Sequence, residues 1–524
     1  MDMITYFVWA VAVIACAALL RRNKRNPPLP PCPPADPLIG HLRQFTFAPQ
    51  RELFQKWATE YGDVFHLNIL GQIIIVVNSL QVATDLLEKR SANYSDRPAC
   101  TALEMMGWKA NVAFMRYGAR WRKHRKLFQE YFGQSQSLTY RAHQTEEARM
   151  LLKDLLSSPA EFKACTQKYA LLSIIGIAYG HQVKLDDDVY VKFAQGAIHG
   201  VEEAAAGTTL LDLLPFLKYI PYWLPGCASF TAAVRRWGPA TKSLCEYPFN
   251  DVRKKMEAGT AQNSFLASHL ERLNTDGADE EDLEDIKGAA ATILDLLISG
   301  KTSSLIQSFL LFMLLFPDVQ RKAQQEIDQV VGPGRLPDFD DRDTLPFVEC
   351  VLQETIRWYP IAPFGRESPI RGHSDVADLR PLAIPHRSLD DDIYNGVLIP
   401  KGSVIIPNVT AMSRDETTYK EANKFLPERF LPAPVGRGEP HLSVIFGFGR
   451  RICPGQYFAD NSAWIVIASV LAAFDICKPV GADGIAVEPH MEYTTDGIAS
   501  RPMPFKCVLR PRSETAKALV EQHR

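Results

Sequence analysis

The sequence predicts a mainly α-helical protein with small β-sheets, held at a membrane by one N-terminal helix. The stretch from about Asp282 to Phe316 has helical apolar periodicity, contains no proline and stops at Pro317, which predicts a helix of more than thirty residues. After residue 360 the predicted strands are short and few. The uncharged apolar run Ile4–Leu20 precedes this whole region. Together these observations indicate a large helical domain behind a membrane anchor.

The composition of the 524-residue chain is typical of a globular protein. It is 46% hydrophobic and 23% charged, which excludes a collagen, a wholly disordered chain and a protein with many membrane spans. Lys and Arg number 58 against 60 Asp and Glu, so no basic excess indicates a nucleic-acid partner. The ten cysteines form no CxxC pair, so neither a zinc site nor a disulfide framework is expected.

The apolar run Ile4–Leu20 predicts a single transmembrane helix. As a helix its residues span ~25 Å, just enough to cross a bilayer. Four basic residues follow it between positions 21 and 25, whereas only Asp2 is charged before it, so the rest of the chain is expected in the cytosol. A cleaved signal peptide is the alternative, but it would have the opposite charge layout.

The chain divides into three parts on this interpretation. Residues 1–25 form the anchor and its basic stop. Residues 26–45 form a proline-rich hinge, because seven prolines lie within Asn26–Gly40. Proline fixes φ and lacks an N–H group, so a stiff, extended spacer is expected; a proline-rich ligand for a recognition module is the alternative. Residues 46–524 form the helical domain.

Several elements of this domain have recognisable patterns. A β-branched run predicts a buried strand at Ile73–Val77. Apolar periodicity predicts a helix capped by Ser79 that ends near Arg90. Besides the long central helix, further helices are predicted at Pro317–Val331, Phe347–Trp358 and Cys453–Phe474.

One short motif carries most of the chemical information. Residues 446–455 read FGFGRRICPG, with glycines and arginines around Cys453. Glycines allow close backbone approach to a flat ligand and can direct N–H groups at a sulfur. Arg451 can neutralise an anion, and the N-terminus of the following helix favours negative charge near Cys453. The motif therefore predicts a site for a cysteine thiolate, the alternative being a core thiol.

Weaker signals lie upstream of this loop. Glu354 and Arg357 stand at i and i+3 on one helix, and Arg429 follows in the sequence PERF. Earlier, Trp121 and Arg125 lie four residues apart on a basic helix. Alone, each pattern is typical of ordinary surface contacts.

Together these motifs resemble those of the cytochrome P-450 haem-thiolate monooxygenases, and the likeness covers essentially the whole chain. The phrases LLEKRSANYSDRP and IPKG are most similar to fungal microsomal members of secondary metabolism. The resemblance implies the cytochrome P-450 fold and a haem whose axial ligand is Cys453. It also implies a buried structural triad of Glu354, Arg357 and Arg429. The further residues implied at the haem are Trp121, Arg125, His386 and Arg451 at the propionates and Phe446 beside the thiolate.

The resemblance implies oxidation of a hydrophobic natural product with O₂. A thiolate ligand favours O–O cleavage, and hydroxyl and acid groups must relay protons. The chain has no GxGxxG or phosphate-binding loop, so electrons come from another protein. The resemblance implies NADPH–cytochrome P-450 reductase at the endoplasmic reticulum membrane, with cytochrome b5 as a second candidate partner. Lys123, Arg125 and Lys126 form a candidate cationic docking face, the alternative being a solvated charge run.

The central helix departs from the family pattern at the residues that are expected to relay protons. The family usually has Ala/Gly-Gly-x-Asp/Glu-Thr-Thr over the haem, whereas residues 298–303 here read ISGKTS. Thr302 keeps the hydroxyl expected to act in catalysis, but Lys301 replaces the acid. Three hypotheses follow: uncoupling of O₂ reduction from product formation, slow turnover, or a chemistry that tolerates a weak proton relay.

A second departure is the polar segment at residues 366–383, which interrupts the passage from the helix of Glu354 to the strand of His386. It is either a genuine surface loop or an unspliced intron translated in frame, because Arg366-Glu-Ser can be encoded with a splice-donor-like sequence. Sequencing the transcript distinguishes the two hypotheses.

The resemblance implies three segments that recognise the substrate; they are apolar, as a terpenoid or polyketide pocket requires, and the alternative is that they are ordinary core segments. Those segments are residues 99–114, 207–224 and 294–302. Two alternatives to a monooxygenase remain: a reductase-independent haem-thiolate enzyme that catalyses rearrangement or uses peroxide, and a catalytically impaired haem-binding protein, which Lys301 and the insertion would favour.

Overall fold

The structure, a computed structural model, describes residues 27–47, 50–183, 188–204, 210–223, 231–276, 279–298, 301–360, 384–481, 483–494 and 500–522. The predicted anchor at Ile4–Leu20 and the predicted insertion at 366–383 lie outside these ranges. Within them, no single helix has the length and apolarity needed to cross a bilayer. One bent pair, Lys301–Leu315 with Pro317–Val330, passes by composition, but residues 303–314 of its first helix are buried in the protein.

The described chain is mainly helical. The helices are α1 (Leu42–Phe47), α2 (Gln50–Tyr61), α3 (Leu80–Ala83), α4 (Ser91–Tyr94), α5 (Thr101–Met106), α6 (Ala119–Phe132), α7 (Gln134–Thr139), α8 (Arg141–Ser157), α9 (Phe162–Tyr179), α10 (Val189–Ala204), α11 (Leu210–Leu213), α12 (Ala232–Glu257), α13 (Phe265–Asp276), α14 (Glu280–Ile298), α15 (Lys301–Leu315), α16 (Pro317–Val330), α17 (Pro346–Trp358), α18 (Val409–Ser413), α19 (Gln456–Ala473) and α20 (Glu514–Gln522). Short 3₁₀ turns connect several of them, including Pro427–Phe430, Ser443–Phe446 and Gly449–Arg451.

The predicted central helix is present as α14 and α15, on either side of residues 299–300, which are not described. Helix α15 is buried on every face from Ser303 to Leu314, which is why its sequence is apolar all round rather than on one stripe. Helix α9 packs against both α14 and α15, and α19 packs against α15. Pro317 begins α16, as the sequence predicts.

The strands are few and short, as predicted. They are β1 (Val64–Ile69), β2 (Gln72–Val77), β3 (His386–Arg387), β4 (Asp392–Tyr394), β5 (Val397–Ile399), β6 (Val404–Pro407), β7 (Phe474–Cys477), β8 (Tyr493–Thr494), β9 (Arg501–Pro502) and β10 (Val508–Pro511). One sheet has four strands in the order β1-β2-β6-β3, and β6 pairs parallel to β2 but antiparallel to β3. The predicted buried strand at Ile73–Val77 is β2. This sheet holds His386 opposite Ile405.

The helix predicted from Ser79 to Arg90 changes type along its length. It is α-helical at Leu80–Ala83 and a π-helix at Thr84–Lys89, and the Ser79 side chain makes no cap hydrogen bond. The wider π turn was not predictable from apolar periodicity, because both helix types bury residues three to four apart.

The proline-rich segment packs along the small-sheet region. The backbone N–H of His66 in β1 donates to the Pro31 carbonyl at 2.8 Å, and that of Leu398 in β5 donates to the Pro28 carbonyl at 2.7 Å. Because proline cannot donate, these carbonyls supply the contacts that the segment makes with the strands. The described part of the predicted hinge is thus docked on the domain.

A fully buried ionic triad joins α17 to the segment before the cysteine loop. Arg357 donates two hydrogen bonds to the Glu354 carboxylate at 2.7 and 2.8 Å, and Arg429 donates to Glu354 at 3.2 Å. Arg429 also donates to Glu439 at 2.6 Å. Removing one member of such a group leaves a buried charge without a partner, which typically costs about 3–5 kcal/mol. The triad thus fixes the position of the chain that leads to Cys453.

Candidate functional site

The cysteine loop holds Cys453 between a 3₁₀ turn and the start of α19. The Cys453 N–H donates to the Phe446 carbonyl at 2.7 Å, which closes the loop. Burial raises the pKa of the Cys453 thiol, whereas the charge of Lys301, the Gly455 N–H and the charge of Arg125 act to lower it. The sulfur therefore lies in a site that resists water but provides groups that stabilise an anion.

Gly449 is required by close packing behind this loop. Its φ is +51°, and a Cβ atom there would lie 2.2 Å from the carbonyl oxygen of Leu87 in the π-helical turn. No side chain could fit without moving that backbone. The glycine-rich pattern thus serves the packing of the loop on residues 84–89, in addition to the ligand approach that the sequence indicated.

One internal cavity brings the predicted site residues together. Cys453 and Phe446 line it from the cysteine loop, and Lys301 and Thr302 line it from the start of α15. Apolar side chains form much of the remaining wall, among them Ile293, Leu305, Ile356 and Val409. The other predicted residues on this wall are Trp121, Arg125, His386 and Arg451.

The substrate-recognition segments contribute unequally to this wall. From the segment 99–114, Val112 and Ala113 line the cavity. From the segment 294–302, Lys301 and Thr302 line it. No described residue of 210–223 lines the cavity, so the structure gives no support for the third predicted segment within the part of it that is described.

Three arginines gather at the cavity without a carboxylate bound to them. Arg451 donates to the carbonyls of Ser95, Val112 and Met115. Burial, and then repulsion from Arg97, lowers the pKa of Arg451 to about 8. Burial also lowers the pKa of Arg97 to about 10 and lowers that of Arg125. Burial is thus the main cause in all three, and the charge of Asp96 acts to raise the pKa of Arg97 and Arg451.

Arg97 is a site residue that the motif reasoning missed. It is 5% exposed, and it donates to the carbonyls of Ala113, Ile384 and Pro385 at 2.7 to 2.9 Å. It belongs to no spacing pattern shared with Cys453, although it lies in the phrase LLEKRSANYSDRP that carried part of the resemblance. Its place in the site is shown by Arg451, which is its neighbour in space and whose pKa is lowered by burial and by the charge of Arg97.

Two other predicted residues make contacts that define their orientation. The Nδ1 atom of His386 lies 2.8 Å from the Tyr94 carbonyl, and because a carbonyl only accepts, Nδ1 carries the proton. Burial and the charges of Arg97 and Arg451 keep the pKa of His386 well below its usual value. Trp121 donates from Nε1 to the Val112 carbonyl at 3.2 Å, and its ring lies under the Arg451 guanidinium at 4.4 Å. An anion here would raise the pKa of His386, and once the ring is protonated Nε2 would be a second donor.

The structure gives the three residues of the predicted cationic docking face different surroundings. Lys123 pairs with the buried Asp285 at 2.8 Å and also with Asp282, so its charge is neutralised by α14. Arg125 turns into the cavity and donates to the Ile452 carbonyl. Lys126 is exposed, as predicted. Sequence alone could not reveal the partners of Lys123, because they lie on a helix about 160 residues away.

Comparison with known proteins identifies the family. A family model described as Cytochrome P450 matches residues 30–369 and 376–506. The interruption at 370–375 falls inside the predicted insertion. Cytochrome P450 monooxygenase 176 of Postia placenta is 38% identical over 93% of this chain and 91% of its own length, and cytochrome P450 monooxygenase claR of Ampulloclitocybe clavipes is 37% identical over 92% and 86%. The chain therefore belongs to the cytochrome P450 family and is a monooxygenase.

A solved structure agrees in fold. A zebrafish cytochrome P450, in a structure with abiraterone, superposes with a TM-score of 0.68 at 20% identity, over 88% of this chain and all of that one. The family's cofactor is a haem with a thiolate ligand. The cavity fits this group on its own chemistry: it presents one cysteine sulfur, apolar walls and a cluster of guanidinium groups to which no described carboxylate is hydrogen-bonded.

Replacing Arg97 tests whether the guanidinium cluster binds the haem carboxylates. We expect Arg97→Gln to release haem about tenfold to a hundredfold faster, because it loses a charge-assisted hydrogen bond, and Arg97→Lys to recover part of the loss. Transfer of haem to apomyoglobin measures the rate. Arg122→Gln, on the exposed face of α6, removes the same charge outside the cavity and is expected to change nothing. Unchanged haem release in a folded Arg97→Gln protein would contradict the assignment.

Proposed function

We propose that this monooxygenase oxidises a hydrophobic natural product of the terpenoid or polyketide class, in the biosynthesis of a secondary metabolite. The observation that carries the proposal is the single cavity in which a cysteine sulfur, a hydroxyl and a mainly apolar wall meet. The similarity to cytochrome P450 monooxygenases of Postia placenta and Ampulloclitocybe clavipes supports the oxidation reaction.

Cys453 binds the haem iron on this proposal, and the bound haem supplies the activation of O₂. Arg97, Arg125 and Arg451 balance the two propionates, and His386 becomes a donor toward them. Phe446 lies beside the sulfur and shields it, while its carbonyl anchors the Cys453 N–H. The buried triad of Glu354, Arg357 and Arg429 positions the loop and touches no substrate.

Thr302 is the catalytic residue that we assign on the opposite wall. Its hydroxyl lines the cavity at the start of α15, where it can hold and pass a proton. The apolar side chains around it, including Ile293 and Leu305, exclude water and orient the substrate. The neighbouring Lys301 stands where the family usually has an acid, which keeps the impaired and reductase-independent alternatives open to test.

NADPH–cytochrome P-450 reductase is the electron donor that we propose, with cytochrome b5 as a second partner. The sequence offers no nucleotide-binding motif of its own. Of the basic residues near the cysteine loop, Arg122, Lys126 and Arg450 are exposed and could contact an acidic partner. We also propose that residues 1–25 anchor the protein in the endoplasmic reticulum membrane, with the domain in the cytosol and the proline-rich segment between them.

Labelled oxygen tests the proposed reaction. The purified protein, with reductase and NADPH, is offered a panel of sesquiterpenes and aromatic polyketides under ¹⁸O₂. We expect one product that gains a single labelled oxygen and that requires the reductase. Thr302→Val should form less product per NADPH and release more peroxide, because it loses the hydroxyl. Ser304→Ala is the control, since the buried Ser304 hydroxyl has no hydrogen-bond partner in the described structure.

The alternatives predict other results in the same assay. Product formed with peroxide and without reductase would favour the reductase-independent enzyme. Absence of both product and NADPH oxidation, with intact thiolate haem, would favour the impaired haem-binding protein.

Truncation tests the anchor. We expect the full chain in yeast microsomes to resist extraction by alkaline carbonate, and the chain without residues 1–25 to be released into the supernatant, because the apolar run supplies most of the membrane affinity. Removing residues 1–3 alone should leave the protein in the pellet. Retention of the longer truncation would contradict the proposal and place the membrane contact in the domain itself.

A further inference from the structure

Lys301 places a positive charge in the wall that faces the sulfur. It lies at the first turn of α15, next to Thr302, and lines the same cavity as Cys453. Its described neighbours on that wall are largely apolar, including Ile293, Leu305 and Ile356. A lysine in such surroundings is costly unless an anion or water meets its ammonium group.

Within the described ranges, no carboxylate pairs with Lys301, although its charge acts on the Cys453 sulfur. No hydrogen bond or ion pair joins its ammonium group to a described residue. The carboxylate of Asp460 also lines the cavity, but Arg342 binds it at 2.8 Å. Lys287, another partly buried lysine, differs in this respect because it is paired with Glu246 and Glu284.

The cofactor that we propose does not supply this anion either. Its two carboxylates are balanced by the cluster of Arg97, Arg125 and Arg451. The charges that act most strongly on Arg451 are those of Arg97, Asp96 and Arg125, whereas Lys301 acts on the Cys453 thiol. Lys301 is therefore a positive site separate from the arginine cluster, and we assign it to the part of the cavity that receives the substrate.

We propose that the substrate is an amphipathic acid whose carboxylate pairs with Lys301 while its hydrocarbon part lies against the apolar walls. This inference rests on the proposed function and narrows it, because it makes Lys301 a specificity-determining residue and the substrate an anion. A carboxylate is the group that an ammonium recognises best in a partly dry site, and the pairing fixes which part of the hydrocarbon skeleton faces the reactive centre. A neutral hydrocarbon would leave the ammonium without a partner.

Ligand titration of the haem-loaded protein tests the proposal. The probes are two acids, dodecanoic acid and abietic acid, each with its methyl ester, followed by the Soret shift and by calorimetry at about pH 7.5, where the acids are ionised. We expect each acid to bind about tenfold to a hundredfold more tightly than its ester. Lys301→Met should abolish this difference and leave ester binding unchanged, and Lys301→Arg should keep most of it.

Lys126→Met is the matched control, because it removes the same charge from the exposed face of α6. It should keep the full preference for acids. Equal binding of acid and ester by the unaltered protein, a preference that survives in Lys301→Met, or failure of both acids to bind would each overturn the proposal. The carbon monoxide spectrum, recorded on every sample, separates these results from failure of the proposed function: the thiolate haem band persists when only the acid-binding inference is wrong.

Discussion

The whole site depends on how an apolar protein interior balances charge. Arg97 and Arg451 are buried, Arg125 is partly buried, all three donate to backbone carbonyls, and burial lowers the pKa of each. An anionic ligand would offset the cost of burying such a cluster. The cysteine sulfur lines the same cavity, so a haem held there would meet both the sulfur and the arginines.

A second group of buried charges is already complete within the chain. Glu354, Arg357 and Arg429 satisfy one another, and the remaining Arg357 donors are used by the carbonyls of Ser413 and Ala422. Its complete pairing explains why this triad can lie at zero exposure without a ligand, whereas the cavity arginines show lowered pKa values. The two clusters have different roles. The triad holds the cysteine loop in place, and the arginines provide positive charge for the cofactor.

Spacing motifs predicted the parts of this site that are local or repeated in a fixed order. Cys453, Arg451 and Phe446 lie within one loop, and Trp121 and Arg125 lie one helical turn apart, so sequence patterns suffice to find them. Residues that meet only through tertiary folding were harder. Arg97 reaches the cavity from an irregular segment, and Lys123 pairs with Asp285 of a distant helix, so neither the extra arginine nor this ion pair was visible in the sequence. The π turn at 84–89 was missed because its packing against Gly449 is likewise a tertiary effect.

The most direct test of the account is whether the sulfur of Cys453 binds iron. In the unaltered protein the reduced carbon monoxide adduct should absorb at about 450 nm, the signature of a thiolate ligand. Cys453→Ser should lose that band, while Cys477→Ser, at a half-buried cysteine on β7, should keep it, with haem content measured in the same samples. A Cys453→Ser protein that retains the band would contradict the assignment of the ligand and the proposals that rest on it.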